Sequence, residues 1–400
     1  MIESAGIFRQ VDREVLMPSP KNQRRIVWFY DMNATKNPAG VTRHAMSMRQ
    51  ELLEKSAAGE IQLALCSGRI SHPDILALWQ RWEDLPKSEL PLTARNMMRL
   101  WRLTNWPPLT SWSGPADWIY APAEFYAAKG KARLAVTSHD TIQDLAWQPP
   151  RRKAMLEQLY ARADLVLSVS AFNTVELLRH FPGLEGRIAQ VPNAPDAIFS
   201  EPASVEQRAA IRTRIGLPAG MPFLLSVANF QPRKNLAALV RAASKVPEVA
   251  AGELALVLVG EGSFEEISRI RATIRECNQP KMLVQITDYM QGDDLRATYA
   301  EATALVFPSL CESFGIPALE AMTQDCPLVL ADSTCLPEIA GNAALYFDPT
   351  REDAITAAIN QMLASPEATA EKVKIGQTIV KEYSWKNSVE KFLEAIDRFS

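Results

Sequence analysis

Two glutamates that follow one apolar segment carry the clearest chemical signal in the sequence. Glu312 lies on a predicted loop, and Glu320 follows after seven residues, within a predicted helix. Gly315 lets a backbone come close to a ligand, and Pro317 suits a first helical turn. Amides at that helix start, together with the positive end of its dipole, favour a bound diphosphate. Glu320 can accept two hydrogen bonds from a ribose diol.

The residues between the glutamates form the predicted phosphate-binding turn. The residues expected to contact the nucleotide there are Ser313, Phe314, Gly315 and Ile316. Glu312 lies on the loop itself, next to the group that the diphosphate carries. The alternative interpretation is a pair of solvated carboxylates at a helix start, where acidic residues are favoured.

Two cations lie on a second predicted loop. Arg233 and Lys234 follow a predicted strand, and open α/β sheets bind ligands at the carboxyl ends of their strands. Two fixed cations there can neutralise the charge on a departing nucleoside diphosphate. Gly260, in the turn after another strand, lets the backbone approach the same ligand. The alternative for the cations is a basic surface turn ahead of a helix capped by Asn235.

Alternating strands and helices predict an α/β fold built from parallel sheets. The first series of predicted strands covers residues 25–30, 61–66, 118–121, 133–138, 165–169 and 187–191, and the second covers 223–228, 254–259, 283–286, 304–307, 328–330 and 345–347. The stretch 192–222, rich in Pro, Ala and Ser, has no strand signal and separates the two series. We therefore expect two domains.

The motifs of the second series resemble glycosyltransferase family 4. The two glutamates with Phe-Gly-Ile-Pro between them are similar to its paired-glutamate signature, residues 336–344 to its following loop and helix, and residues 231–236 to its basic motif. Together they cover roughly residues 223–350 in register. The resemblance implies a retaining hexosyltransferase of the GT-B architecture, in which two Rossmann-like parallel-sheet domains face a central cleft.

The resemblance also implies a division of the chain. Residues 1–200 form an N-terminal acceptor-binding domain, residues 217–375 form a C-terminal domain that binds the nucleotide sugar, and residues 376–400 form a helix expected to cross back to the first domain. A Trp- and Arg-rich insertion at about 72–116 is predicted to be helical. Three interpretations stay open for it: an acceptor lid, a membrane-facing helix pair, or ordinary packing of an inserted helical pair.

Site residues follow from the same resemblance. It implies catalytic roles for Glu312, Arg233 and Lys234, and a ribose-binding role for Glu320. His139, after the strand at 133–138, resembles a family histidine that points across the cleft toward the donor sugar; the alternative is a histidine that satisfies local backbone groups.

The glycine-rich loop that precedes the family's first helix has a reduced counterpart here. Gly40 is the one glycine of residues 37–42, before a predicted helix at 41–54. It is expected to contribute an amide to the nucleotide, although the family often has two or more glycines at this point.

The overall composition and charge limit the classes of partner that we expect for the protein. A net charge of -3 and a pI near 6.0 provide no basic footprint for nucleic acid. The N-terminus has no signal-peptide pattern, and no apolar run approaches the length of a membrane span. An odd set of five cysteines without CxxC spacing indicates thiols in a reducing compartment. A cytoplasmic location is expected, with the inner face of the membrane as an open alternative.

No metal ion or resident cofactor is expected. Asp293 and Asp294 immediately precede a predicted helix from residue 295 and are interpreted as its N-cap rather than as a metal-binding pair. The substrates implied are a nucleotide sugar and a glycan or lipid-linked acceptor. The Pro-Arg-Lys-Asn sequence at 232–235 resembles mannosyltransferases of bacterial surface polysaccharides, which favours GDP-mannose and leaves UDP-hexoses open.

Three rival functions share this architecture. A nucleotide-sugar epimerase would need no acceptor, and a glycan phosphorylase would ordinarily need a longer chain and a cofactor lysine. A non-catalytic sugar-nucleotide-binding subunit would be expected to lack the charged site residues, all four of which are present here.

Overall fold

The chain forms two parallel β-sheets with helices packed against them. The computed structural model describes residues 23–36, 40–82, 85–139, 151–218 and 220–399. Within these ranges the predicted α/β fold with two Rossmann-like domains is confirmed. No helix of the described ranges is both long and apolar enough to cross a bilayer.

The first sheet belongs to the N-terminal domain. Its described strands are β1 (Arg24–Tyr30), β2 (Ile61–Ser67), β3 (Lys87–Glu89), β4 (Trp118–Ala121), β5 (Arg133–Ser138), β6 (Leu165–Ser168) and β7 (Ile188–Gln190). They pair in the order β3-β2-β1-β4-β5-β6-β7. The helices of this domain are α1 (Gly40–Ala57), α2 (Pro73–Gln80), α3 (Ala94–Thr104), α4 (Thr110–Ser113), α5 (Arg151–Arg162) and α6 (Ala171–His180), with short 3-10 helices at Met32–Lys36 and Pro182–Leu184.

The second sheet follows a connecting segment that contains the 3-10 helix Ala197–Ser200 and α7 (Val205–Ile215). Its described strands are β8 (Phe223–Val227), β9 (Ala255–Val259), β10 (Val284–Thr287), β11 (Ala304–Phe307), β12 (Leu328–Ala331) and β13 (Ala344–Phe347), in the order β10-β9-β8-β11-β12-β13. The helices are α8 (Leu236–Ala243), α9 (Pro247–Ala251), α10 (Phe264–Glu276), α11 (Gly292–Glu301), α12 (Ile316–Thr323), α13 (Leu336–Ala340), α14 (Glu352–Ala364) and α15 (Pro366–Ile379), with 3-10 helices at Pro232–Lys234, Gly341–Ala343 and Val380–Glu382.

Buried apolar strands fix the register of the second sheet. Every residue of β9 is buried, as expected for a parallel strand that is covered on both faces. Val227 pairs with Val259, and Leu225 pairs with Leu305. Because these strands run in parallel, the loops that follow β8, β9 and β11 meet at one edge of the sheet. That edge is where the polar residues of the sequence motifs lie.

The last helix, α16 (Trp385–Arg398), lies against the first domain. The ring of Phe392 is 4.4 Å from that of Tyr120, and the Ser388 hydroxyl donates a hydrogen bond of 2.6 Å to the Pro192 carbonyl. Trp385 packs edge-on against His44, with ring centroids 5.5 Å apart. The chain therefore passes back over the cleft after its second sheet is complete.

The Trp- and Arg-rich insertion contains helices α2, α3 and α4 and, in addition, one short strand that the sequence pattern did not predict. Strand β3 extends the first sheet, with Lys87 opposite Leu65. Its sequence, Lys-Ser-Glu, is too short and polar to give an apolar strand signal, and edge strands tolerate such residues. Trp79 and Trp101 are buried, which agrees with ordinary packing of the neighbouring helices. Residues 83 and 84 lie outside the described ranges.

The N-cap assignment of Asp293 and Asp294 is wrong. Helix α11 begins at Gly292, three residues before the predicted start, and its N-cap is Gln291, so both carboxylates lie in the first turn, where the helix dipole favours them. Asp293 accepts a hydrogen bond of 2.8 Å from Arg296, and Asp294 pairs with Arg214. Both aspartates are thus engaged in ion pairs.

Candidate active site

The strand order of the second sheet reverses between β8 and β11. Open α/β sheets bind ligands in the crevice outside the strand ends at such a switch point. The loop after β8 contains Arg233 and Lys234 in a 3-10 turn, and the loop after β11 carries Glu312. Three of the predicted catalytic residues therefore share one crevice.

Glu312 and the two cations form a buried charged cluster. The Glu312 residue is 7% exposed, its carboxylate pairs with the Lys234 ammonium, and Arg233 Nη1 lies 3.4 Å from its Oε2. Burial raises the pKa of Glu312, but Lys234 and Arg233 outweigh burial and hold the pKa below its ordinary value. Glu312 is therefore ionised at neutral pH, and its carboxylate balances one of the two positive charges of Arg233 and Lys234.

Backbone contacts tie the two loops together. Arg233 Nη1 donates a hydrogen bond of 2.8 Å to the Cys311 carbonyl, and the Leu310 amide donates one of 2.8 Å to the Arg233 carbonyl. The Lys234 ammonium lies 5.5 Å from the centre of the Phe307 ring. The cations are consequently held in a fixed position relative to Glu312, as electrostatic stabilisation of a developing charge requires.

The predicted phosphate-binding turn opens helix α12. Gly315 is its N-cap with φ of 99°, a backbone conformation that favours glycine, and a Cβ there would displace the end of the Leu336 side chain, whose Cδ2 would lie 2.7 Å away. Ile316 is the first residue of the helix. Phe314 is buried against Tyr383, with ring centroids 5.8 Å apart. The turn is thus rigid, and its amides lie at the start of an eight-residue helix.

Glu320 lies on α12 and is completely buried. Its Oε2 accepts a hydrogen bond of 3.0 Å from the Tyr299 hydroxyl, and its Oε1 pairs with Arg43. Burial raises the pKa of Glu320, and Arg43 offsets only part of that effect, so the pKa lies above its ordinary value. The carboxylate thus accepts hydrogen bonds from the Tyr299 hydroxyl and from the Arg43 guanidinium.

Arg43 belongs to helix α1 of the first domain and crosses the cleft. Its guanidinium also contacts Asp196, with Nε and Nη2 at 2.8 and 2.7 Å from Oδ2. The counterpart of the glycine-rich loop comprises residues 37–42, so the sequence analysis did not predict a role for Arg43. A signal was available, because a cation in the first turn of a helix opposes the helix dipole and needs another reason to be there.

Further polar contacts join the domains beside the donor loop. The Ser170 hydroxyl donates a hydrogen bond of 2.8 Å to the Ser313 carbonyl. The Glu338 carboxylate accepts hydrogen bonds of 2.7 and 2.8 Å from the amides of Ala171 and Phe172, at the start of α6. A carboxylate from one domain therefore caps a helix of the other.

His139 makes the local contacts of the alternative interpretation. Its amide donates to the Glu124 carboxylate, and its Nε2 lies 3.0 Å from the Pro122 carbonyl. Its ring packs edge-on against buried His44 with centroids 4.6 Å apart, and burial lowers its pKa. These contacts lie within the first domain and keep the imidazole neutral. Its role toward a donor sugar stays a prediction.

The two remaining predicted glycines differ in their surroundings. Gly260 has φ of 149°, and a Cβ there would lie 1.8 Å from the Ala228 carbonyl oxygen, so the approach of the neighbouring loop already demands glycine. Gly40 begins α1, and a Cβ there would meet no atom within 4 Å. Residues 37–39 of its loop lie outside the described ranges. Contact of either glycine with a nucleotide stays a prediction.

The loops that form this crevice lie in the part of the chain that is similar to a known protein family. Residues 207–396 match the family model for glycosyl transferases group 1. This part of the chain is therefore similar to group 1 glycosyl transferases. The resemblance to glycosyltransferases predicted from the glutamate and basic motifs is thereby confirmed. Among the described residues, no three His, Cys, Asp or Glu side chains cluster as metal ligands would.

The chain is also similar to two mannosyltransferases of Escherichia coli. It is 29% identical over 285 residues to O-antigen chain mannosyltransferase B of Escherichia coli, which covers 70% of this chain and 74% of that protein. It is 27% identical over 240 residues to the serotype-specific mannosyltransferase WbdA of Escherichia coli, covering 60% of this chain but 29% of WbdA. HepE of Anabaena, solved with UDP and glucose, aligns over 94% of this chain and 100% of its own with a TM-score of 0.73 at 15% identity, which shows the fold alone.

The pair between Arg43 and Glu320 can be measured by a double-mutant cycle. We expect Arg43→Ala and Glu320→Gln to be coupled by about 1–3 kcal/mol in the free energy of unfolding, because the pair is buried and each variant leaves a polar partner without its counterpart. Urea unfolding followed by tryptophan fluorescence provides the free energies.

The exposed pair of Arg351 and Asp353, 2.5 Å apart, is the control. Its coupling is expected to stay below about 0.5 kcal/mol because solvent screens it. A coupling for Arg43 and Glu320 no larger than that of the control would contradict the buried cross-cleft pair.

Proposed function

We propose that the chain is a retaining, metal-independent hexosyltransferase. It transfers a hexose, with mannose favoured, from a nucleoside diphosphate sugar to a glycan or lipid-linked acceptor in polysaccharide or lipopolysaccharide synthesis. The observation that carries the proposal is the charged cluster of Arg233, Lys234 and Glu312 at the switch point, beside the helix that bears Glu320.

The cluster suits departure of a nucleoside diphosphate. Negative charge builds on the diphosphate as the bond to the sugar breaks, and fixed cations stabilise it without reorganisation. Arg233 and Lys234 supply those cations, and the one net positive charge of the cluster provides the attraction. Glu312 keeps Lys234 in position through its ion pair and orients the donor sugar from the loop. A divalent ion is not needed for this step.

Glu320 binds the ribose of the donor in this proposal. A carboxylate has about four lone-pair positions, of which Tyr299 and Arg43 each use one, so two remain for the ribose hydroxyls. The side chain of Glu320 is only 1% exposed, since Arg43 covers it. Arg43 must therefore shift when the ribose enters, and this couples nucleotide binding to movement of the first domain.

GDP-mannose is the proposed donor. The two Escherichia coli relatives are named mannosyltransferases and share 29% and 27% identity with this chain. UDP-hexoses are the second donor class, and UDP is bound by HepE, whose likeness extends only to the fold. The identity of the donor nucleotide is thus a matter for the transfer assay.

A transfer assay with a matched pair of variants tests the proposal. Labelled GDP-mannose or UDP-glucose is incubated in EDTA with an α-mannoside oligosaccharide, and the anomeric configuration of the product is read by NMR. We expect transfer with retention, and a loss of kcat on the order of 100-fold in Glu312→Gln, because Lys234 loses its ionic partner. Glu265→Gln, at an exposed glutamate of the same domain, should leave kcat unchanged.

The other outcomes separate the rivals. Conversion of the donor sugar without an acceptor would support the epimerase. A folded protein that binds a nucleotide and transfers nothing would support a non-catalytic subunit. An inverted product or a requirement for metal would contradict the proposed reaction.

We also propose that helix α3 contacts the inner surface of the cytoplasmic membrane. Its buried face includes Met97 and Trp101, while Arg95 and Arg99 are exposed. Leu103 and Trp106 are 87% and 69% exposed at its C-terminal end. Cations beside exposed apolar side chains are typical of a surface that binds anionic lipid.

Vesicle sedimentation tests this contact. We expect the protein to pellet with vesicles of anionic lipid and to lose most of its binding in the variant Leu103→Glu/Trp106→Glu. Phe264→Glu, at a residue of the second domain that is 85% exposed, is the control and should bind as wild type does. Equal binding by both variants would exclude α3 as the contact.

A further inference from the structure

The loop that carries Glu312 is held from one side by three consecutive side chains. The Ser333 hydroxyl donates a hydrogen bond of 2.8 Å to the Leu310 carbonyl, and the Thr334 Oγ1 accepts one of 3.1 Å from the Glu312 amide. The Cys335 thiol lies 3.1 Å from the Phe314 carbonyl oxygen. The segment between β12 and α13 is therefore a support for the proposed donor loop.

Thr334 makes its contact from an unfavourable backbone conformation. Its φ is 55°, in the left-handed region, where β-branched residues are genuine outliers. The other described non-glycine residues with positive φ are Asn105, Asn235, Asn278 and Asp325, which are the residue types that tolerate this region. Thr334 departs from that pattern, although glycine or asparagine would fit the backbone with less strain.

The Thr334 hydroxyl makes a contact that glycine at this position would lack. Glycine would relieve the strain but would leave the Glu312 amide without the Oγ1 acceptor, and this amide lies in the residue whose carboxylate holds Lys234. Strained residues that the surrounding structure over-determines cluster at functional sites. The strain and the hydrogen bond thus occur in one residue, next to the charged cluster.

We infer that Thr334 is a positioning residue for Glu312. Its hydroxyl fixes the backbone of the Glu312 loop, so that the carboxylate meets Lys234 and Arg233 in one geometry. The inference rests on the proposed function, because positioning matters only if Glu312 acts in sugar transfer. It concerns the rate of transfer rather than nucleotide binding, since the Thr334 hydroxyl accepts its hydrogen bond from the backbone of Glu312.

Three substitutions separate the hydroxyl from the strain. Thr334→Ser keeps the hydroxyl, Thr334→Val keeps the branched shape and the strain without an acceptor, and Thr334→Gly removes both. We expect Thr334→Ser to retain kcat within about threefold, and Thr334→Val and Thr334→Gly to lose about tenfold or more, with a smaller change in donor KM, since small misplacement of a reacting group is costly.

Thermal stability is expected to change in a different order. Thr334→Gly should have a Tm equal to or above that of wild type, and Thr334→Val should have a lower Tm. Asn278 is an exposed residue with a left-handed backbone, distant in sequence from Arg233, Lys234 and Glu312. Asn278→Gly is the control and should retain full activity. If Thr334→Gly fails to fold, the comparison of Thr334→Ser with Thr334→Val decides.

If Thr334 had a merely structural role, kcat would follow Tm across the variants. Thr334→Gly, whose Tm is not reduced, would then keep its kcat, and that result would overturn the inference. Full activity of Thr334→Val and Thr334→Gly in an active wild-type background would overturn it and leave the proposed function intact. A wild-type protein that transfers no sugar from any donor would overturn the proposed function together with this inference.

Discussion

The candidate site depends on the need of two buried carboxylates for cations. An ionised carboxylate loses several kcal/mol when it leaves water, and only a well-placed cation with further hydrogen bonds offsets that loss. Glu312 obtains its cations from the loop after β8, and Glu320 obtains its cation from Arg43 in the other domain. These two requirements relate the position of the loop after β8 to that of the loop after β11, and the position of helix α1 to that of α12.

The contacts between the two domains involve residues of the proposed donor site. Arg43 crosses the cleft to reach Glu320, the Ser170 hydroxyl reaches the Ser313 carbonyl, and Glu338 caps helix α6. All three contacts lie on or beside the segment proposed to bind the nucleotide. A ligand that changes the hydrogen bonding of Glu320 therefore changes an interaction that holds the domains together, which is how differential contacts shift a conformational equilibrium.

Local patterns predicted the sheets, and tertiary contacts account for what they missed. Apolar runs between helical stretches located most strands within a residue or two, because buried parallel strands are nearly all apolar. Strand β3, made of Lys-Ser-Glu, carries no such signal. The paired-glutamate and basic motifs assigned Glu312 and Lys234 to one site, and their loops follow neighbouring strands. Arg43 and Thr334 were not predicted. Arg43 acts across the cleft, and the role of Thr334 depends on a φ value that no local sequence pattern indicates.

The most direct test of the account is a comparison of dissociation constants. The nucleoside diphosphate selected by the transfer assay and its 2′,3′-dideoxy form are titrated by calorimetry into wild type and Glu320→Gln. We predict that wild type binds the ribose form about tenfold or more tightly than the dideoxy form, because two hydroxyls donate to the Glu320 carboxylate, and that Glu320→Gln loses most of this preference. Equal affinity of wild type for the two forms would contradict a ribose-binding role for Glu320.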